Sequence, residues 1–311
     1  MCSSDLESGR PIGGQWNFDA DNRLPPPKGT HPWPTPLVHA QDAIDRAVWE
    51  GIVARGLPFV GAGHEAAELG MEKPRFKALA ASLGLPTLPS LVIRRDEWGE
   101  AGSSSRAAAE RRLDAFAAAE GERGALIGKP AAHGSSIGMR VGRSIGEWRD
   151  MVALALEYGD AVLVEPFLSR PRELEVAILE RRDGRLEAYG PGEVFPGREF
   201  YDYDAKYLPG VSRTTTEPSI EPMLATALRD AATRLFAAAG CRGLARIDFL
   251  VPTQGPRAGA WQVSEINTLP GFTPISLYPA LILASGMTFG ALCRELRSEE
   301  HTSELQSRLH L

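Results

Sequence analysis

The chain has 311 residues, enough for two or three domains with cores of their own. Its 43% hydrophobic and 24% charged residues fit a globular protein, and a net charge of −6 without any basic run argues against a nucleic-acid partner. Cys2, Cys241 and Cys293 form no CxxC pair, which excludes a disulfide scaffold, and neither a bilayer-length apolar run nor a signal-peptide core is present. The expectation is a cytoplasmic protein without a membrane partner.

Both ends read as foreign to the fold. Residues 1–6, MCSSDL, and the polar stretch from Arg297 containing SEEHTSELQS look like one sequencing adapter translated from opposite strands. Disordered tails are the competing reading. Between them, residues 7–52 carry GGQWNFDADNRLPPPKGTHPWPTP, whose Gly, Pro and Asn content is that of a linker. This stretch resembles a segment of photolyase-related flavoproteins. Nothing else of that family follows, so neither flavin binding nor DNA repair is expected. The chain is therefore expected to be a chimera, a natural extended linker being the alternative.

Regular patterning begins at Gly56. LPFVGAG predicts a short strand entering a glycine turn. GAGHEA fits GxGxxA, yet no second strand with an acidic end follows at the distance a dinucleotide site requires. Lys73 to Leu83 predicts a helix, with Pro74 in its first turn, an apolar stripe of Phe76, Leu79, Ala80 and Leu83, and Gly84 and Pro86 as stops. LPSLVIRR predicts a strand and RAAAERRLDAFAAA an amphipathic helix. ALIGKP predicts a strand, HGSSIG a loop and MRVG the returning strand. Ser144 and Glu147 predict a capping box for a helix to about Tyr158. AVLVEPFL and ELEVAILE predict two strands, followed by the loop-rich EFYDYDAKYLPG. A helix from about Met223 to Ala239 precedes a hairpin of ARIDFLV and WQVSEIN. The mixture lacks the alternation of a parallel barrel and reads as α+β, with antiparallel sheets carrying the site.

Strand side chains alternate faces, so Arg246 shares a face with Asp248, and Glu265 with Asn267. Antiparallel pairing would gather all four, and two carboxylates with an amide oxygen suit Mg²⁺. A surface salt bridge from Arg246 to Asp248 or Glu265 is the competing reading. Upstream, Lys129 closes a strand before Gly134, Ser135, Ser136 and Gly138, small residues that let backbone N–H groups approach phosphate. The spacing is not that of a Walker A loop, and a plain hairpin competes. Together the two features point to a nucleoside triphosphate.

In this order the stretches GLPFVGAG, GMEKPRFK, GKPAAHGSSIGMRVG, VEPFL with RELEVAIL, EFYDYDAKY, GCRGLARIDF and EINTLPGFTPISLYP resemble the D-alanine–D-alanine ligase family of ATP-grasp enzymes, over Gly56 to Leu296. The resemblance implies an ATP-grasp fold: a remnant of a Rossmann-like amino-terminal lobe at 53–72, a central lobe at 73–168 and a C-terminal lobe at 169–296. It implies ATP and two Mg²⁺ ions (Mn²⁺ being an alternative) as cofactors, and a homodimer. Lys73 and Lys129 would hold ATP phosphates or the adenine edge, Glu165 and Leu168 the adenine, and Glu173 the ribose. Asp248, Glu265 and Asn267 would ligate metal, and Lys206 would close over the γ-phosphate. Ser135 and Tyr207 would orient the first D-alanine. Arg246 and the Gly271 backbone would stabilise the tetrahedral intermediate, and Ser276 with Leu277 would take the second carboxylate. The implied reaction joins two D-alanines through a D-alanyl phosphate, for peptidoglycan precursors. Tyr207 favours D-alanine over D-lactate as acceptor, a core tyrosine being the plain alternative.

The sequence departs from the family in several places. No glycine-rich lobe with its substrate-binding Glu precedes Gly56, and the family's next His-Gly motif has only a chance echo at His39. Gly128 is unusual for a buried strand, and the last helix reads as cut short at Leu296. Two other hypotheses stay open: a related ligase using D-lactate or D-serine as acceptor, and a nucleotide-binding fragment without catalysis.

Overall fold

The computed structural model describes residues 51, 54–55, 59–120, 124–134, 136–196, 212–273 and 276–298. Ser135, Lys206, Tyr207 and the whole of EFYDYDAKY lie outside the described residues, as do residues 1–50 and 299–311.

The described chain opens with a difference from the sequence reading. Phe59–Gly63 contains no strand and bends into helix α1 (His64–Met71), which the glycine pattern had hidden. Gly61 adopts a φ of +107°, which L side chains rarely take, and lies against Leu244, Thr268 and Leu269. The helix expected over Lys73 to Leu83 is α2 (Lys73–Ser82), with Pro74 in its first turn and Gly84 at φ +69° just beyond its end. Strand β1 (Leu91–Arg94), the single turn α3 (Arg95–Trp98) and helix α4 (Ser104–Glu120) follow, then strands β2 (Leu126–Pro130) and β3 (Arg140–Gly142).

Helix α5 (Ile145–Glu157) begins as expected at Ser144, whose Oγ accepts from the Glu147 N–H (3.4 Å). The return bond of the capping box is displaced by one residue: Glu147 Oε2 accepts from the Arg143 N–H (2.6 Å). Strands β4 (Ala161–Pro166) and β5 (Arg172–Glu180) are those expected. Strand β6 (Leu186–Phe195), LEAYGPGEVF, whose Gly190-Pro191-Gly192 has the local signature of a turn, and the short β7 (Arg213–Thr215) are not. The register with β5 shifts there, between Glu175 and Ala177, and a bulge is where a strand tolerates proline. A Cβ on Gly192 would lie 2.9 Å from Leu277 Cδ2, so the glycine lets the helix above sit directly on the sheet. Helix α6 (Pro222–Ala238), strands β8 (Leu244–Val251) and β9 (Gln262–Asn267), and helices α7 (Leu277–Ala284) and α8 (Phe289–Ser298) complete the order. No single helix among the described residues is long and apolar enough to cross a membrane.

The strands form two sheets, ordered β1-β4-β2-β3 and β7-β6-β5-β8-β9, and every pairing within them is antiparallel. The α+β expectation holds. Helices α4 and α5 cover one face of the first sheet, where Ile93, Leu126, Val162 and Val164 meet Leu113, Met151 and Ala155. The central strand β5 of the second sheet is buried on both faces. Leu174, Val176 and Ile178 point to α6 and α2, whereas Ala177 and Leu179 point to Leu277, Tyr278 and Leu281 of α7. Helix α2 is shared: Phe76 and Ala80 enter the core of the second sheet while Lys77 reaches Glu165 in the first.

The oddity at Gly128 now has a cause. It faces α5, and a Cβ there would stand 2.7 Å from Met151 Cγ, so the missing side chain makes room for a methionine from the helix. Gly128→Ala should destabilise the protein by about 1–3 kcal/mol through overpacking. In a double-mutant cycle of chemical denaturation, Met151→Ala should recover part of that loss. Strict additivity of the two changes would show that the glycine has another purpose.

Candidate active site

A cavity of about 140 Å³ opens between the two sheets. The first sheet supplies Ile127, Lys129 and Glu165, and the second Glu173, Glu175, Arg246, Asp248 and Glu265. On the first sheet, the pairs Ile127↔Glu165 and Lys129↔Leu163 put Lys129 and Glu165 on one face as diagonal neighbours, within reach of long side chains. Glu165 Oε2 lies 2.7 Å from Lys129 Nζ, and Oε1 accepts from Lys77 Nζ. Lys77 also donates to the Leu88 carbonyl (2.7 Å). Burial alone would raise the Glu165 pKa, but Lys129 and Lys77 outweigh it and hold the carboxyl at about 2. The same balance raises Lys129, whereas burial prevails at Lys77 and lowers it. Lys73, at the start of α2, donates to the carbonyls of Pro130 (3.2 Å) and His133, tying the helix to the loop after β2. Ser136 and Gly138 in that loop take left-handed φ values of 58° and 68°.

The second sheet presents a row of acids. Glu175 is opposite Asp248, and Asp248 is opposite Glu265, so three carboxylates stand side by side across β5, β8 and β9. Directly opposed like charges repel, and here the relief comes from the adjacent row, where Arg246 stands opposite Asn267. Arg246 grips Asp248 as a fork, Nε to Oδ1 and Nη2 to Oδ2, both at 2.7 Å. Its Nε is also 3.2 Å from Glu175 Oε2, yet that oxygen has no hydrogen-bond donor, because the N–H is directed at Asp248. Burial, with Asp248 and Glu173 nearby, pushes the Glu175 carboxyl up against the pull of Arg246. A bulge between Asp248 and Phe249 adds Ser264 to β9 and turns it toward the cleft.

This set has the donor chemistry for a hard cation. No three His, Cys, Asp or Glu side chains among the described residues gather tightly enough to hold one alone, and Mg²⁺ ordinarily completes its shell with water and phosphate. The Arg246–Asp248 bridge set against the metal reading does exist, but both side chains are largely buried rather than on the surface.

Lys73, Lys129, Glu165, Leu168, Glu173, Arg246, Asp248 and Glu265 all line the cleft, and Asn267 is held opposite Arg246 at the end of β9. Gly271, Ser276 and Leu277 do not line the cavity itself and are gathered at the start of α7. There Ser276 Oγ accepts from the Thr273 N–H (3.2 Å) and stands 2.8 Å from Thr273 Oγ1. A Cβ on Gly271 would come within 2.8 Å of Ser276 Oγ, and the Leu277 side chain is buried in the core beneath. Two residues of the cleft network escaped the sequence reading although each carried a signal. Lys77 is four residues after Lys73 on one helix face, and Glu175 is two after Glu173 on one strand face.

Residues 79–297 match the family described as D-ala D-ala ligase C-terminus, and residues 6–66 that described as deoxyribodipyrimidine photo-lyase-related protein. The second match runs past residue 52, where the sequence reading ended its foreign segment. The D-alanine–D-alanine ligase of Methylobacterium sp. (strain 4-46) is 35% identical over 260 residues, covering 83% of this chain and 64% of the relative. That of Mycobacterium ulcerans (strain Agy99) is 37% identical over 264 residues, covering 83% and 65%. The chain thus spans just under two thirds of these curated relatives. Among solved structures, the D-alanine–D-alanine ligase from Coxiella burnetii superposes with a TM-score of 0.66 at 27% identity, over 85% of this chain and 66% of that one. The VanG D-Ala:D-Ser ligase from Enterococcus faecalis gives 0.65 at 26%, over 79% and 66%. The fold is that of the ATP-grasp ligases.

The depressed Glu165 pKa makes a pH prediction. Its folded value lies below the ordinary carboxylate range, so its stabilisation is complete above about pH 4.5 and lost as pH falls through about 2. The contribution is about 3 kcal/mol. Melting curves should show the parent well above Glu165→Gln at pH 6, with the gap closing steadily below pH 4.5. A gap independent of pH would mean that the two lysines do not set the titration.

Proposed function

The chain belongs to the D-ala D-ala ligase C-terminus family, and on that footing we propose that it carries the ATP-binding and ligating part of an enzyme that joins two D-alanines at the expense of ATP. The observation that carries this reading is the meeting of Lys129 from one sheet with Asp248, Glu265 and Arg246 from the other across a single cleft. Residues 73–168 and 169–296 are then the central and C-terminal lobes. A cytoplasmic location, a homodimer and a role in making peptidoglycan precursors accompany the reading.

In the proposed mechanism Lys73 and Lys129 face the phosphates, Leu168 and the Glu165 backbone face the adenine, and Glu173 faces the ribose. Mg²⁺, held by Asp248, Glu265 and Asn267, would offset the charge of the triphosphate. The carboxylate of the first D-alanine attacks the γ-phosphorus, ADP leaves, and an acylphosphate results. The neutral amine of the second D-alanine attacks the carbonyl carbon, and inorganic phosphate departs. Negative charge develops on the carbonyl oxygen in that step, and the buried, permanently charged Arg246 guanidinium is the group to meet it, with the Gly271 N–H. Ser276 and the Leu277 N–H, at the first turn of α7 where backbone donors are unpaired, are proposed to take the second carboxylate. Ser135, Tyr207 and Lys206 keep the roles implied by the family: the first two orient the first D-alanine, and Lys206 closes over the γ-phosphate.

A solved D-Ala:D-Ser ligase superposes nearly as well as a D-Ala–D-Ala ligase, so the fold leaves the acceptor to be assayed. Phosphate release from MgATP should require D-alanine and exceed that with D-serine or D-lactate. Glu265→Gln should lower it at least about 100-fold. Near-parent turnover in that variant would remove Glu265 from the metal set. MgATP binding without D-alanine-dependent phosphate release would favour a binding fragment over a ligase.

A further inference from the structure

The trio Lys77–Glu165–Lys129 contains two ammonium groups and one carboxylate. Its members are unequally placed. Lys129 borders the cleft, whereas Lys77 is 8% exposed, absent from the cleft wall, and satisfied by Glu165 Oε1 and the Leu88 carbonyl. Glu165 is 5% exposed and fully engaged, Oε2 with Lys129 and Oε1 with Lys77. Glu165 and Lys129 alone would form a neutral pair, and a neutral pair attracts a phosphate little. Lys77 restores a surplus of one positive charge. In a buried setting of low effective dielectric that surplus is weakly screened, and the member able to present it to a ligand is Lys129.

We propose that Lys77 is a positioning residue for phosphate binding: it takes up the charge of Glu165 from behind and so leaves the Lys129 ammonium available to an anionic phosphate. This rests on the ATP-binding reading above. It also explains a lysine on an otherwise buried face of α2, between Phe76 and Ala80. A buried ion trio kept for stability alone would affect every ligand of the cleft equally. A charge-supplying role affects only ligands that carry phosphate.

The test is calorimetric titration of the full chain with MgATP and with adenosine, read as the ratio of the two affinities. In Lys77→Met the preference for MgATP over adenosine should fall on the order of tenfold, with adenosine affinity nearly unchanged. The double variant Lys77→Met/Glu165→Gln removes one charge of each sign and should return the ratio to within about threefold of the parent. A folded Lys77→Met protein with the parental ratio overturns the proposal. If that variant does not melt cooperatively, the double variant decides alone: a ratio near the parent's supports the charge rule, and a tenfold loss overturns it. A parent chain that binds no MgATP would overturn the ATP-binding reading, and this inference with it.

Discussion

A charge withdrawn from water must be met by its opposite, and the cleft satisfies that requirement twice, once on each wall. On the first sheet a single carboxylate is shared by two lysines, leaving positive charge in excess. On the second, Arg246 is forked onto Asp248 in a row of three acids, and even with Glu175 pushed toward its neutral form, Asp248 and Glu265 leave negative charge in excess. The walls are therefore complementary to one another and to a ligand carrying phosphate on one side and a divalent cation on the other. Neither wall could be buried with its charges unpaired, since removing one partner of a buried pair typically costs about 3–5 kcal/mol.

Helix α2 links these electrostatics to the fold. Its apolar face, Phe76 and Ala80, is embedded beneath the second sheet, while Lys77 and Lys73 reach the first sheet and the loop after β2. One rigid element thus sets the distance between the walls. A further link across the surface, Arg257 to Glu120 at 2.6 Å, joins the β8–β9 loop to the end of α4. Being part-exposed, it contributes little by comparison with the buried contacts.

Much of the fold was legible because each element carried its own punctuation. Pro74 and Gly84 bracket α2, Ser144 starts α5, Gly240 stops α6, and the alternation in ARIDFLV and WQVSEIN yields the β8–β9 hairpin in the register that aligns Asp248 with Glu265. The failures have the same physical origin. In β6, Gly190-Pro191-Gly192 obeys a demand from above, the close approach of Leu277 and Leu281 of α7, and only secondarily the local habits of a strand. Gly128 likewise answers to Met151 on another element, and Gly61 to the loop after β9. A residue chosen to leave space carries no local mark of what fills it.

The sequence by itself determined the class of the fold, the order of most of its elements apart from α1, β6 and β7, and the shared strand faces of Arg246 with Asp248 and of Glu265 with Asn267. Those properties follow from periodicities of one strand or helix and from neighbours within a few positions. Tertiary structure alone decided the partners: that Glu165 is held between Lys77 and Lys129 across 88 and 36 positions of chain, and that Glu175 joins the acidic row. It also left Gly271, Ser276 and Leu277 off the lining of the cavity and buried the Leu277 side chain in the core. Partnership of buried charges depends on distance and on exclusion of water, which exist only after distant segments have packed together.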